Sequence, residues 1–319
     1  MFYKPAFRFV PDGTKIRFMN GRFAGLITSA VLSFGSVVLF FHPGLNMGLD
    51  FKGGVVLQVQ TPQAANFATL RSALSQAGLA DAALQSFGAG KNGVLISLES
   101  RNNAAQTQTA ITEAVTALNK AAPGSKILST QAIGAAVSQD LFRQGLEALG
   151  LSFVMILCYI WFRFEWQFAA GAVATLLLDT TKTIGFMVLT RIPFDLVTIA
   201  AILTIIGYST NDKVVVYDRV RENLRKYKTM PLRDLIDLSI NETLNRTLGT
   251  SGTVFLAALP LALFGGSALS GFAWIMLFGI VVGTSSSIMI AAPILLFLGE
   301  HRLRRANAPV KTPAKARAQ

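Results

Sequence analysis

Cysteine and histidine are almost missing from this chain. The one cysteine, Cys158, lies inside an apolar run, so there is no disulfide framework and no clue to a redox compartment. The two histidines, His42 and His301, flank apolar runs far apart and make no metal-ligand spacing. No nucleophile elbow and no Gly-rich phosphate loop are present, so neither an enzyme nor a bound cofactor is expected. Charge is also scarce: 14% of the 319 residues are Asp, Glu, Lys or Arg and 52% are hydrophobic, which places the chain among membrane proteins.

What is there, above all, is length of apolar run. Residues 23–41, 146–162, 168–190, 196–217, 244–264 and 272–298 each approach the roughly 20 residues of helix that cross a bilayer. The fifth run does so once Arg246 is excused. The net charge of +12 could suggest RNA, but its placement argues otherwise. Lys4, Arg8, Lys15, Arg17 and Arg22 precede the first span; Arg219, Arg221, Arg225, Lys226, Lys228 and Arg233 fill one loop; Arg302, Arg304, Arg305, Lys311, Lys315 and Arg317 form a tail. If six helices alternate, all three groups share one side, which the positive-inside rule makes the cytoplasm, with both termini there. Such basic residues mark orientation and meet anionic lipid; no nucleic acid is expected. The segment before residue 23 is too long and too charged for a cleaved signal, so the first span is expected to remain as an anchor.

Residues 42–140 differ in composition. Strand patterns at 55–60, 84–87, 94–98 and 126–131 alternate with helical ones at 64–77 and 104–121, and residues 88–93 carry a hairpin signal. The order β-α-β-β-α-β is that of the ferredoxin-like fold, whose first and last strands lie side by side. The expectation is a polytopic α-helical membrane protein: a cytoplasmic segment 1–22, a first transmembrane helix 23–41, a small α+β ferredoxin-like periplasmic domain 42–140, five further helices within 141–299 with a cytoplasmic loop 218–243, and a basic, unfolded tail 300–319. Within that loop, residues 231–238 look amphipathic and suggest a helix lying along the membrane.

Ionisable residues at membrane depth are costly and rarely lack a partner or a task. Asp179 lies near the middle of the third span with Lys182 three positions on, Asp212 and Lys213 stand in the fourth, and Arg246 lies in the fifth. A coupling carboxylate needs an apolar setting that favours its neutral form in one conformation, and a nearby cation that favours its ionised form in another. These five residues therefore suggest an ion path. Gly48, Asp50, Phe51, Lys52, Gly53 and Gly54 form a turn after the first span, and Gly279, Gly283, Ser285, Ser286 and Ser287 suit close helix contact in the sixth.

Several of these motifs together carry a resemblance. Gly48-Leu49-Asp50-Phe51-Lys52-Gly53-Gly54, residues 207–212 running into 218–223, Ser239-Ile240-Asn241-Glu242-Thr243-Leu244-Asn245-Arg246-Thr247, Phe264-Gly265-Gly266 and residues 283–287 resemble the SecD/SecF family of protein-export membrane proteins, its SecF branch in particular. The resemblance implies a six-helix subunit of the RND superfamily in the bacterial inner membrane. It implies pairing with SecD beside the SecYEG translocon, association with YajC, and unfolded preprotein substrates on the periplasmic side. The family uses a gradient of H+, or of Na+ in some members, and the resemblance assigns ion coupling to Asp212, Arg246 and Asp179, with the glycine-rich turn at the periplasmic base. Three positions depart from the family pattern: Leu178 stands for a histidine, Lys182 for an apolar residue and Lys213 for a small one. Lys182 and Lys213 are accordingly candidate charge partners, one or the other reaching Asp179 and leaving Asp212 to Arg246. Competing readings are a scaffold in which all five charges are satisfied, an aspartyl protease, which lacks its motif around Asp179, and a half-size drug exporter, whose porter domains would be far larger than residues 42–140.

Overall fold

The computed structural model describes residues 10–11, 14–87, 92–99 and 104–298. The basic tail, the first nine residues and most of the hairpin turn at 88–93 lie outside these. Among the described residues, six helices are long and apolar enough to cross a membrane. They are α1 (Arg22–Phe41), α5 (Ala135–Arg163), α6 (Trp166–Thr190), α7 (Leu196–Lys226), α8 (Leu232–Phe264), and a sixth rod built from α9 (Gly266–Ser286), a π-helical turn (Ser287–Ala291) and α10 (Ala292–Phe297). Between α1 and α5 come a short α2 (Leu49–Lys52), β1 (Gly54–Gln60), α3 (Phe67–Gln76), β2 (Ala83–Phe87), β3 (Gly93–Glu99), α4 (Ala104–Ala121) and β4 (Lys126–Ile133).

The small domain is one antiparallel sheet in the order β2-β3-β1-β4, so the first and last strands are neighbours as the ferredoxin-like pattern requires. Val55, Leu57 and Val59 of β1 and Val94, Ile96 and Leu98 of β3 point to one face, where Leu70, Leu74, Ala114 and Leu118 of α3 and α4 cover them. α3 starts three residues later than periodicity suggests because the Asn66 side chain caps it, accepting from the Ala68 and Thr69 amides.

The membrane helices divide into a buried centre and an apolar rim. Half or more of each central span is buried, 50% in α6, 56% in α7 and 50% in the sixth rod, against 17%, 11% and 17% in α1, α5 and α8. Phe34, Leu151, Met155, Phe162 and Leu256 are exposed on the outer helices, the composition a hydrocarbon environment accepts. The sixth rod approaches α7 closely because its contact positions are glycine: a Cβ added at Gly283 would stand 3.0 Å from the Ser209 hydroxyl.

Two stretches correct the sequence reading. Residues 218–243 are helical except for the short connection 227–231, because α7 and α8 continue well past their apolar runs. The amphipathic stretch 231–238 is the start of α8 and not a helix on the membrane surface: Leu232, Leu235 and Ile236 are buried in one core with Met19, Val220 and Leu224. The second span likewise begins as a helix at Ala135, so the small domain ends earlier than residue 140.

The glycine-rich turn joins the domain to the membrane. Gly53 and Gly54 adopt φ of 70° and 125°, values that other residues reach only with strain, and this reverses the chain from α2 into β1. The Gly48 amide donates to the Phe194 carbonyl (2.8 Å), and the Asp50 carboxylate accepts from the Leu196 amide at the start of α7 (3.0 Å). Phe51 packs between Phe142 of α5 and Phe194, each ring centroid 5.3 Å away. Asp195 completes the joint as the α7 N-cap, with a reciprocal bond to Thr198.

A second tie runs along α8. Asp237, Asn241 and Asn245, spaced four apart and so on one helix face, hold the N-terminal segment as a strap. Asn245 accepts from the Val10 amide and donates to its carbonyl, both at 2.9 Å. Asn241 does the same for Ile16 at 3.0 and 2.9 Å, and Asp237 accepts from the Met19 amide at 2.9 Å.

Both ties lead to tests. Each amide pair replaces two backbone bonds worth about 1 kcal/mol apiece, so Asn241→Ala should speed trypsin cleavage at Lys15 and Arg17 about 30-fold; an unchanged rate removes the strap's role. Burial pushes the Asp195 carboxyl above its ordinary value, and the Asp50 charge adds to the rise while hydrogen bonds from Thr198 oppose it. The folded state therefore holds this proton more tightly than the unfolded chain. Its contribution to stability is full below the ordinary carboxylate pKa of about 4 and is lost as pH rises through the raised folded value. Asp195→Asn, which keeps the cap, should flatten the fall of the thermal midpoint as pH rises above the ordinary carboxylate pKa of about 4; parallel pH profiles for both proteins would refute the assignment.

Candidate ion-coupling site in the membrane core

Asp179 sits at the meeting point of α6, α7 and the sixth rod, 2% exposed. Oδ1 pairs with the Lys182 ammonium at 3.3 Å, one turn along the same helix. Oδ2 pairs with the Lys213 ammonium at 2.9 Å and accepts from the Ser209 hydroxyl at 2.9 Å and the Ser286 hydroxyl at 2.6 Å. Lys213 also donates to the Ser209 carbonyl at 3.3 Å and to the Ser209 hydroxyl. The sequence expected one of the two lysines to reach Asp179; both do. The Lys213 ammonium crosses from α7 because Ser209 lies one turn before it on the same face, turning the long side chain towards α6.

Asp212 is 5% exposed, yet it is placed differently. Adjacent residues on a helix point about 100° apart, so Asp212 faces α8 and the sixth rod while its neighbour Lys213 faces Asp179. Thr247 of α8 and Ser287 of the π turn stand close enough to act on its charge. Neither satisfies Oδ2, which accepts no hydrogen bond; Ser287 donates instead to the Gly283 carbonyl at 2.9 Å, and the Thr247 hydroxyl is itself unpaired. A buried carboxylate oxygen without a donor is costly, and such exceptions mark strain or function.

Arg246 does not join Asp212 in this arrangement. It is exposed on α8, and among the described residues its side chain makes no hydrogen bond or ion pair. Being next to Thr247, it lies about 100° around α8 from the face that Asp212 meets. Partnership between Asp212 and Arg246 therefore requires α8 to rotate or its side chain to swing inward.

Sequence reasoning missed the hydroxyls. Ser209 and Ser286 bind Asp179, and a further chain links Tyr208 to Ser251 (2.8 Å) and Ser251 to Thr284 (2.7 Å), joining α7, α8 and α9 one turn or more from the carboxylates. Ser285, Ser286 and Ser287 suit packing by their size; Ser286 also bonds Asp179, and Ser287 stands beside Asp212 while donating to the Gly283 carbonyl. The usable signal was spacing, with Ser209 four residues before Lys213 and Thr247 beside Arg246. The π turn was not legible in the sequence. It frees backbone carbonyls in the sixth rod, and the Tyr217 hydroxyl donates to that of Ala291 at 3.0 Å.

Comparison with known proteins bears on this arrangement. The family described as "Protein export membrane protein SecD/SecF, C-terminal" matches residues 113–301, and the "SecD/SecF GG Motif" matches residues 38–65. The chain belongs to the SecD/SecF family of protein-export membrane proteins. Within it the likeness is to SecF: the protein translocase subunit SecF of Rhodobacter capsulatus is 40% identical over 314 residues, covering 95% of this chain and 94% of that one. SecF of Rickettsia bellii is 38% identical over 299 residues, covering 93% and 98%. The crystal structure of SecDF, a translocon-associated membrane protein from Thermus thermophilus, superposes with a TM-score of 0.81 at 30% identity. It covers 90% of this chain and 39% of the SecDF chain, so this chain spans about two-fifths of that protein's length. A second SecDF structure, in a super-membrane-facing form, gives a TM-score of 0.61. The family match places the chain among multi-pass membrane proteins of protein export, and the glycine-rich turn at Gly48–Gly54 is its GG motif.

The Asp179 cluster should behave as a structural unit. Asp179→Asn leaves two buried ammonium groups facing each other and should destabilise the purified protein by about 3–5 kcal/mol. Adding Lys213→Met should recover much of that loss, because one uncompensated charge is removed with it. Thermal midpoints of the two variants check this; no recovery in the double variant would show that the ion pair is not the source of the effect.

Proposed function

We propose that this chain is the SecF-like half of a SecDF unit that draws preproteins out of the translocon, driven by an ion gradient across the bacterial inner membrane. Its termini face the cytoplasm and its ferredoxin-like domain the periplasm, as the basic flanks of the spans support. SecD is the partner that covers part of the apolar rim, SecYEG and YajC lie nearby, and the substrate is unfolded preprotein. No enzymatic step and no cofactor belong to this reading.

The observation that carries it is the unpaired, buried Oδ2 of Asp212, at mid-span and beside Lys213. Its two protonation forms favour different neighbours. The ionised form would be drawn to Arg246 should that side chain swing in; the neutral form gains a hydroxyl that Thr247 or Ser287 can accept. A ligand shifts a conformational equilibrium only by its differential interaction with the two states, and these alternatives supply one. The π turn that carries Ser287 is a place where a helix changes register at low cost. The GG motif then links motion to output: Asp50 on the start of α7 and Phe51 against α5 and Phe194 make the small domain follow the membrane helices.

The scaffold reading holds for one half of the site. Asp179 is fully paired by two lysines and two hydroxyls, so it fastens α6, α7 and the sixth rod together. Asp212 and Arg246 are outside that lock, which leaves them free to work as the switch.

Reconstituted with SecD and SecYEG in vesicles, Asp212→Asn should assemble normally and lose at least about tenfold of gradient-stimulated export, the scale of a single lost coupling interaction. Undiminished stimulation would exclude Asp212 from coupling.

A further inference from the structure

The small domain has one face that neither α3 nor α4 covers. Along β1 and β3, Val56, Gln58, Leu95 and Ser97 alternate with the residues buried under those helices, so they point the other way and stay half-buried. Register sets them in two rows across the sheet: Gln85 beside Leu95 beside Gln58, and Ser97 beside Val56 beside Gln131. A cleft of about 350 Å3 is lined by this face, by α2 and by the segment that enters α7. Its volume falls in the roughly 300–1,000 Å3 range of sites that take a ligand. Its charge is one-sided. Asp50, Asp81, Asp195 and Glu99 line it against a single base, Lys52, in a chain whose net charge is +12.

We infer that this cleft holds an extended, basic segment of the polypeptide substrate, with lysine or arginine side chains at the carboxylates and the backbone along the glutamine rows. The inference rests on the preprotein reading above and adds which surface meets the substrate and which residues it favours. Charge complementarity selects the occupant. An acidic segment would bring like charges together, and a wholly apolar one would desolvate carboxylates without supplying a counter-charge. Side-chain amides suit a substrate of varied sequence, since each offers a donor and an acceptor to a peptide backbone. Asn241 and Asn245 already do this for Ile16 and Val10 within this chain. Val56 and Leu95 add apolar contact between the amides. A segment held here touches both the sheet and the joint, because Asp50 is bonded to the start of α7 and Asp195 caps it.

Fluorescence anisotropy of labelled extended peptides on the purified full-length chain tests this. A peptide of Lys, Ser and Val should bind at least about tenfold more tightly than its counterpart with Glu in place of Lys, and high salt should weaken it. The chain as a whole is basic, so non-specific attraction would favour the acidic peptide and the preference is diagnostic without any variant. Asp81→Asn with Glu99→Gln, and separately Gln85→Arg, change exposed side chains and should each weaken the basic peptide at least about tenfold with the thermal midpoint unchanged. Equal binding of the two peptides, or a basic preference that both variants leave intact, overturns the proposal. So does self-association of the chain that the same variants abolish, which would give the face to a second copy. In vesicles with SecD and SecYEG, Gln85→Arg should slow gradient-stimulated export. Unchanged export alongside lost peptide binding refutes the cleft as a substrate site and leaves gradient coupling standing, whereas a wild type that no gradient stimulates strikes the proposed function itself.

Discussion

A carboxylate held by two ammonium groups at the centre of an apolar bundle is the constraint on which the rest depends. Asp179 draws Lys182 from its own helix, Lys213 and Ser209 from α7, and Ser286 from the sixth rod. In hydrocarbon there is no water to replace any of these partners, so the three helices cannot separate without stranding a charge. Packing follows from that demand. Glycine at 279 and 283 brings the sixth rod against Ile205 and Ser209, near enough for Ser286 to reach the carboxylate.

The same lock explains why the neighbouring aspartate is left incomplete. Lys213, committed to Asp179, cannot also turn to Asp212, since successive helical positions diverge by about 100°. Asp212 is thus placed against α8, the helix with least burial among those touching it, and against the π turn. Satisfied polar networks rigidify a core, and unsatisfied ones mark where a structure has a second arrangement available. One fully paired aspartate on α6 and one aspartate with an unpaired oxygen on α7 are the fixed and the moving part that the proposed switch requires.

Much of this was legible in the sequence because the signals are strong ones. Six apolar runs, the β-α-β-β-α-β order and the five intramembrane charges follow from hydropathy and periodicity alone. The pairing of Asp179 with a lysine followed from the cost of burying charge. What was lost is informative about the physics. Within the loop 218–243, Asp218, Arg219, Arg221 and Glu222 read as a solvated continuation of the fourth helix; the helix does continue, to Lys226, but polarity is not exposure there, since Asn223 and Ser239 are buried and bonded to each other at 3.0 Å. The strap along α8 depends on Asn side chains imitating a neighbouring strand for the backbone of Val10 and Ile16, a tertiary pairing over more than 200 residues that no local pattern announces. Asp212 and Arg246 fail to meet in this structure for a geometric reason: Thr247, one residue on, is the position that faces the carboxylate.

That failure bears on mechanism. If Arg246 were bonded to Asp212, the bundle would hold five mutually satisfied charges and nothing would be gained by moving. With Arg246 outside, α8 has one face committed to Thr243, Thr247 and Ser251 in the core and an exposed arginine about 100° away, so a modest rotation exchanges a hydroxyl for a cation at the same carboxylate. Such a rotation would pull on the strap through Asn241 and Asn245, which sit on the same helix about two to three turns before Ser251. The N-terminal segment leads through Met19 into α1, and α1 leads into the GG motif and the small domain. Under the proposed function, protonation of that one carboxyl would reach the extramembrane domain through two routes, Asp50 on α7 and the strap on α8. If those helices move as proposed, a domain joined to them at both ends would tilt with them, because its close-packed ferredoxin-like core resists absorbing the displacement.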